Sequence, residues 1–481
     1  MSGTGRALPV SPLDEEGLDR IHAQAMRILS EIGTEVDDVD MLRRLAEAGQ
    51  SIDGTRVRWD PEFVMEQLSY APSSFTLTGR NPASAVTLGG GSLVHSPVGG
   101  PPFAYDRERG RRDGTLSDHI ELVKMAHASE SLKVLQSGTT EAQDLDYNSR
   151  HLEMDYSILR WSDRPFIVYG TSGEKAHDGF ALAAIVAGGR EALIERPMTL
   201  GIVNPNSPLV WDGLMVTTLV ACAELGQPVA ITPFLLAGTS APVTLAAGLS
   251  LLVAETLAGV AMAQLVRRGT PCILGCFFTG VDMRSGGPSL GLPESVLTTL
   301  AGVQIARRYG LPLRGGGALC SGIALDVQVA VESTMSMWAT YLAGCDLVVH
   351  SAGWIEGGLT ASFEKFAIDL EVIRMMERIR DGLVVDNESL AFDTLAEVGP
   401  GGLFLGHEHT LARFRTDVFM SPLFRSQAFP TWTKQGAAQA DEVATGQWKK
   451  LLESYVDPGI DEAIDAELRD YVDRRSAILE A

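Results

Sequence analysis

Positive charge is scarce in this chain: 39 Lys and Arg stand against 61 Asp and Glu, a formal net charge of −22 over 481 residues. That balance excludes a general nucleic-acid or anionic-membrane surface, which would carry the same sign. Cysteine is scarce too. The five cysteines are an odd number without a C-x-x-C pair, and they sit in apolar settings such as PCILGC and LAGCDL. A disulfide framework is therefore not expected; buried, reduced thiols in a cytoplasmic protein are. The opening MSGTGRALPVSPLDEE lacks the apolar core of a secretion signal. One apolar run, Leu245 to Val266, is long enough to cross a bilayer, but Glu255 interrupts it and Ala and Gly outnumber bulky groups. It is expected as a helix sandwiched inside a large soluble fold.

Several standard signatures are missing. GGGALCSG is glycine-rich, but Cys320 stands where G-x-G-x-x-G needs its third glycine, and no GK[ST] follows. HEHT at His407 to Thr410 has Leu411 where a zinc protease motif has its second His. No G-x-S-x-G elbow is present, and no His-x-Cys with a later Cys offers a zinc site for thiol or methanol-type methyl transfer. Low-complexity linkers are absent as well, so one compact body is expected. No metal and no tightly held cofactor is expected for this chain.

What the sequence does have is rhythm. An α-rich extension over 1–88 opens with Ser11-Pro12, read as a helix cap and first turn, with Gly33 at the helix end. A second helix is expected around Met41 to Ala48, then a strand at RVRW and a helix from Asp60-Pro61. From Ser92 onward, short apolar runs recur about every 30 to 43 residues: SLVHSP, KVLQSG, PFIVYG, MTLGIV, PVAITPF, PCILGC, LPLRGG and DLVVHS. Helix-length stretches separate them. Continuous apolar runs suit parallel strands buried on both faces. Eight βα units predict a (β/α)8 TIM barrel over 89–385, with an open doubly wound sheet as the alternative. A helical tail over 386–481 completes the chain. Its helices QWKKLLESYV and DEAIDAELRDYVDRRSAIL read as packing or homo-oligomer surfaces.

In a barrel the chemistry belongs at the C-terminal strand ends. Those ends hold few acids (Asp106, Glu141, Asp282, Glu356) and many rings, among them Phe103, Tyr169, Phe234, Phe277 and Trp354. Ring faces suit a cation that has no N–H to donate. The plainer alternative is that such rings plug the barrel mouth. Arg314 is a candidate clamp for a carboxylate, or half of an interior ion pair. In LVVHSAGWIEGGL, Trp354 would offer its face to a quaternary nitrogen, and Glu356 would balance its charge or shape the loop. His350 would bond a substrate carboxylate or hold the loop through a backbone carbonyl.

Three long strings carry a family resemblance: RVRWDPEFVMEQLSYAPSSFTLTGRNP, SAGWIEGGLTASFEKFAIDLE and ESLAFDTLAEVGPGGLFLGHEHTLARFR. The chain resembles the trimethylamine methyltransferase family over nearly its whole length. The resemblance implies a TIM barrel that moves a methyl group from an N-methylated amine to the cob(I)alamin of a separate corrinoid protein. Trimethylamine members carry pyrrolysine in the barrel. Here GGGALCSGIALDVQ, where that residue would be sought, contains ordinary amino acids only. The chain thus resembles the branch without pyrrolysine, which demethylates quaternary amines such as glycine betaine. A sulfonium donor on the same scaffold, or a binding protein without a corrinoid partner, are the competing readings. A corrinoid protein encoded nearby would favour the enzyme.

Overall fold

The structure is a computed structural model and describes residues 10–481. Eight short strands form its centre: β1 (Val94–His95), β2 (Leu135–Gln136), β3 (Phe166–Ile167), β4 (Thr199–Val203), β5 (Val229–Ile231), β6 (Cys272–Gly275), β7 (Leu313–Gly316) and β8 (Leu347–Val349). They correspond one for one to the eight apolar runs. All pairings are parallel, each strand beside its sequence neighbour, and β8 returns to β1. A bridge between His95 and Leu132, with the Lys133 N–H donating to the His95 carbonyl at 2.9 Å, joins β1 to the approach to β2. That contact closes the ring and rules out the open sheet.

The barrel helices are α1 (Leu116–Ala128), α2 (Arg150–Trp161), α3 (Gly173–Ala187), α4 (Gly213–Glu224), α5 (Leu245–Val266), α6 (Pro293–Arg308), α7 (Val327–Ala343) and α8 (Phe363–Arg380). Inside the barrel, Val94, Val134, Ile167, Leu200, Ala230 and Ile273 form one apolar cluster with Leu77 and Leu88. Those two leucines come from the antiparallel hairpin Phe75–Leu77 and Val86–Leu88, which precedes β1. Both are fully buried, so the hairpin stoppers the barrel at its N-terminal end.

The N-terminal extension has a packing purpose. Helix α5 is apolar on every side, and Gly248 through Gln264 are all buried. A helix without a polar face must be covered all round. Two extension helices, Glu15–Arg27 and Pro61–Leu68, lie against it. The first starts later than Ser11-Pro12 suggests: Asp14 is its cap, accepting the Gly17 N–H at 2.8 Å. A carboxylate three residues downstream outcompetes the serine for the free N–H groups and complements the helix dipole. The helical path does run to Gly33, through a π-helical turn at Ile28–Ile32.

Glu255, the acid inside α5, accepts hydrogen bonds from the Ser207 hydroxyl at 2.7 Å and the Leu209 N–H at 2.6 Å. It therefore ties down the loop after β4. Burial raises its carboxyl from 4.5 to about 7, the two hydrogen bonds opposing. The folded chain then holds a proton that the unfolded chain has lost, so this group's stability contribution falls as pH rises from about 4.5 to about 7. Urea melts should show the effect: Glu255→Gln removes this slope, on the order of 2–3 kcal/mol across that window. An unchanged slope would mean that the carboxyl titrates normally.

Candidate active site

A cavity of about 730 Å³ opens at the C-terminal ends of the strands. Six of the seven residues singled out from the sequence line it: Tyr169, Phe234, Phe277, Arg314, His350 and Trp354. Local structure explains the convergence. Past β5 and β6 the chain resumes as a second parallel pair, Phe234–Ala237 and Phe277–Gly280, in which Phe234 stands directly opposite Phe277. Their rings lie 4.8 Å apart at 58°. Phe277 is 6.3 Å from both His350 and Trp354, and the last two rings are 4.3 Å apart. The result is a continuous aromatic wall.

Trp354 is locked in place. Its indole N–H donates to the Cys320 carbonyl at 3.2 Å, and the Cys320 thiol donates back to the Trp354 carbonyl at 3.1 Å. The loops after β7 and β8 are thereby stitched together. Gly358, at φ 99°, lets the indole lie on the backbone: a Cβ there would come within 2.4 Å of the ring. Behind these loops sits a buried ion pair, Lys365 with Asp369, both 1% exposed. Asp369 accepts the Gly353 N–H at 2.9 Å, and Lys365 reaches the Ala318 carbonyl at 3.5 Å. Sequence reading missed this pair, since Lys and Asp four apart on a helix ordinarily face water.

Arg314 is the electrostatic centre of the cavity. It is 3% exposed, and its Nε and Nη1 have no hydrogen-bond partner among the described residues. It stands 5.2 Å over the Phe277 ring, while Nη2 meets His350 Nε2 at 3.0 Å. Burial pushes its pKa down to about 10, which leaves it charged at neutral pH. Among the described residues, the interior ion pair that the sequence left open does not form. A buried cation without its carboxylate is a costly arrangement.

The neighbouring His350 is equally unusual. Its backbone is left-handed at φ 62°, strain of about 1 kcal/mol or more. Both ring nitrogens face donors, Gly99 N–H at 3.3 Å from Nδ1 and Arg314 on the other side. A neutral imidazole can accept at only one. Burial, then the Arg314 charge, holds its pKa well below 6.5, so the ring is neutral.

Among the described residues, the cavity's one lining carboxylate, Glu141, is matched by protein. The Tyr169 hydroxyl donates to Glu141 at 2.7 Å, and Arg150 meets the same carboxylate at 2.8 Å. Burial raises the Glu141 pKa, with Tyr169 and Arg150 opposing. Of the four scattered acids noted in the sequence, Glu141 alone lines the cavity. Asp106 pairs with Arg109 and Arg112, and Asp282 with Arg284.

Glu356 is the seventh candidate, and it lies outside the wall. Arg111 grips it through two hydrogen bonds of 2.9 and 3.2 Å, and Thr360 donates to it. Its charge is matched by protein, so it shapes the loop rather than facing a ligand. Arg111 also covers Phe103, 3.6 Å from the ring centre.

Comparison with known proteins places these features in a family. Residues 4–479 match the model described as Trimethylamine methyltransferase (MTTB). The chain belongs to the trimethylamine methyltransferase family. A glycine betaine methyltransferase of Desulfitobacterium hafniense is 37% identical over 98% of both chains. A proline betaine:corrinoid methyltransferase of Eubacterium limosum is 27% identical, over 85% of this chain and 86% of that one. A trimethylamine methyltransferase of Desulfitobacterium hafniense is also 27% identical, over 95% and 92% respectively. Among solved structures, the monomethylamine methyltransferase of Methanosarcina barkeri superposes with a TM-score of 0.56 at 12% identity, covering 92% of this chain and 88% of that one. That likeness bears on the fold alone.

Proposed function

We propose that this protein takes a methyl group from a quaternary ammonium compound that also carries a carboxylate, a betaine, and hands it to a corrinoid held by a separate protein. The observation that supports this most is Arg314: a buried guanidinium with unmatched N–H groups, set in an aromatic wall. A betaine carboxylate would take the bidentate place that no protein acid fills. With that carboxylate present, the His350 Nε2–H gains an acceptor and the conflict between facing donors is relieved. The quaternary nitrogen has no N–H, so it suits ring faces: Phe277 lies 5.2 Å from the Arg314 guanidinium, and Trp354 continues the wall 6.3 Å from Phe277.

The chemistry needs little else from the chain. A reduced corrinoid on the partner protein would supply the nucleophile that displaces the methyl carbon from its C–N bond. The electron pair of that bond leaves with nitrogen as a neutral amine, so no general acid is required. What the residues contribute is orientation and exclusion of water. The cavity, open at the strand ends and larger than a small betaine, leaves space for the acceptor to approach. The relatives named for betaine substrates support the same reading, as does a chain of ordinary residues where pyrrolysine would be sought.

Calorimetric titration tests it directly. Glycine betaine should bind and trimethylamine should not. Trp354→Ala should weaken betaine binding by up to about 30-fold, the upper range of one desolvated cation–π contact. Binding of trimethylamine alone would overturn the betaine reading.

A further inference from the structure

Residues 382–435 leave the barrel as an arm in which Leu423 alone is buried. Its four helices, Asn387–Leu390, Phe392–Val398, Glu408–Asp417 and Phe429–Lys434, bury none of their residues. Yet the arm is apolar: Leu383, Phe392, Leu403, Leu405 and Phe429 are each more than 70% exposed. Fourteen of the thirty-six large hydrophobic side chains exposed in the structure fall between Leu383 and Phe429. At roughly 60–120 Å² for each such side chain, the arm offers on the order of 1,000 Å² of apolar surface. A monomer rarely exposes a patch beyond about 600 Å², and a stable interface needs about 800 Å² from each partner.

A second uncovered face lies on the flank of the barrel. Along α7, Val327, Val331, Met335, Trp338 and Leu342 are all exposed. Their spacing of four, four, three and four puts them on one stripe about 22 Å long. Such a stripe on a barrel helix is built to be covered, and the other side of α7 already faces the barrel.

We propose that these two surfaces meet between two copies of this chain, the arm of each lying over the α7 stripe of the other. A two-fold arrangement makes the contact mutual. The place where the arm departs favours this occupant over a corrinoid protein. The arm begins at the end of α8, and barrel helices run back toward the N-terminal face. On its return, Phe419 and Leu423 lie by Ala128 and Ser129, where α1 ends, again at that face. A corrinoid protein has to reach the opposite face, where the cavity opens. The stripe, for its part, runs the length of the barrel rather than crowding the mouth. The proposal is independent of how the cavity is read.

Light scattering on the purified full chain at micromolar concentration tests it. The wild type should have at least twice the mass of one chain. Leu403→Glu with Leu405→Glu on the arm should give a monomer, and so should Val331→Glu with Met335→Glu on the stripe. All four positions are exposed, so each variant should keep the circular dichroism spectrum and cooperative thermal melt of the folded wild type. An equimolar mixture of the two double variants still contains one intact arm and one intact stripe. It should associate again, at least tenfold more tightly than either variant alone. A monomeric wild type overturns the proposal. So do variants that remain associated, or a mixture that stays monomeric.

Discussion

Arg314→Met should lower the affinity for glycine betaine at least about 30-fold while raising the thermal stability of the ligand-free protein. The two effects share one cause. A betaine carboxylate that loses a buried cationic partner forfeits about 2–5 kcal/mol. The ligand-free protein, by contrast, stops burying an unpaired charge, and an apolar side chain of similar volume is often more stable there by about 1–4 kcal/mol. Choline supplies the control, having the quaternary nitrogen without the carboxylate. Any affinity the wild type shows for it should survive the substitution. A variant that is less stable and still binds betaine would show that Arg314 is structural.

Lys365→Met should destabilise the fold by about 3–5 kcal/mol, because it leaves Asp369 buried and uncompensated. Removing both charges, as in Lys365→Met with Asp369→Leu, should recover much of that loss. Recovery of stability need not bring recovery of function. Without the pair, Gly353 loses its acceptor and Ala318 its cation, and the Trp354 loop is no longer anchored from behind. Chemical denaturation of the single and double variants, with betaine titration of the double, separates the two roles. A single variant as stable as the wild type would mean that the pair is hydrated.

Much of this arrangement was legible in the sequence, for identifiable reasons. A fully buried parallel strand has to be apolar on both faces, so eight uninterrupted runs mark eight barrel strands without reference to distant contacts. The strand-end positions of Phe234, Phe277, Arg314, His350 and Trp354 follow from the same register. Partners were harder. The acid-matching role of Arg111 depends on a hairpin 245 residues from Glu356. The Lys365–Asp369 pair looks like a solvent-facing helical pair until its surroundings are known. The arm over 382–435 reads as ordinary tail because its apolar content resembles core, and only exposure in three dimensions shows that nothing covers it. Ser11 was passed over for Asp14 by competition within a single turn, which a one-dimensional pattern does not resolve.

The hairpin that stoppers the barrel also dictates a timetable. In the proposed methyl transfer, with Leu77 and Leu88 filling the far end, amine and methyl acceptor must share the mouth, and the larger visitor blocks the smaller. The betaine therefore has to be seated before the corrinoid protein docks, and the demethylated amine cannot leave until it undocks. An excess of the acceptor protein then slows turnover by capping empty barrels, so the rate passes through a maximum as that protein is increased.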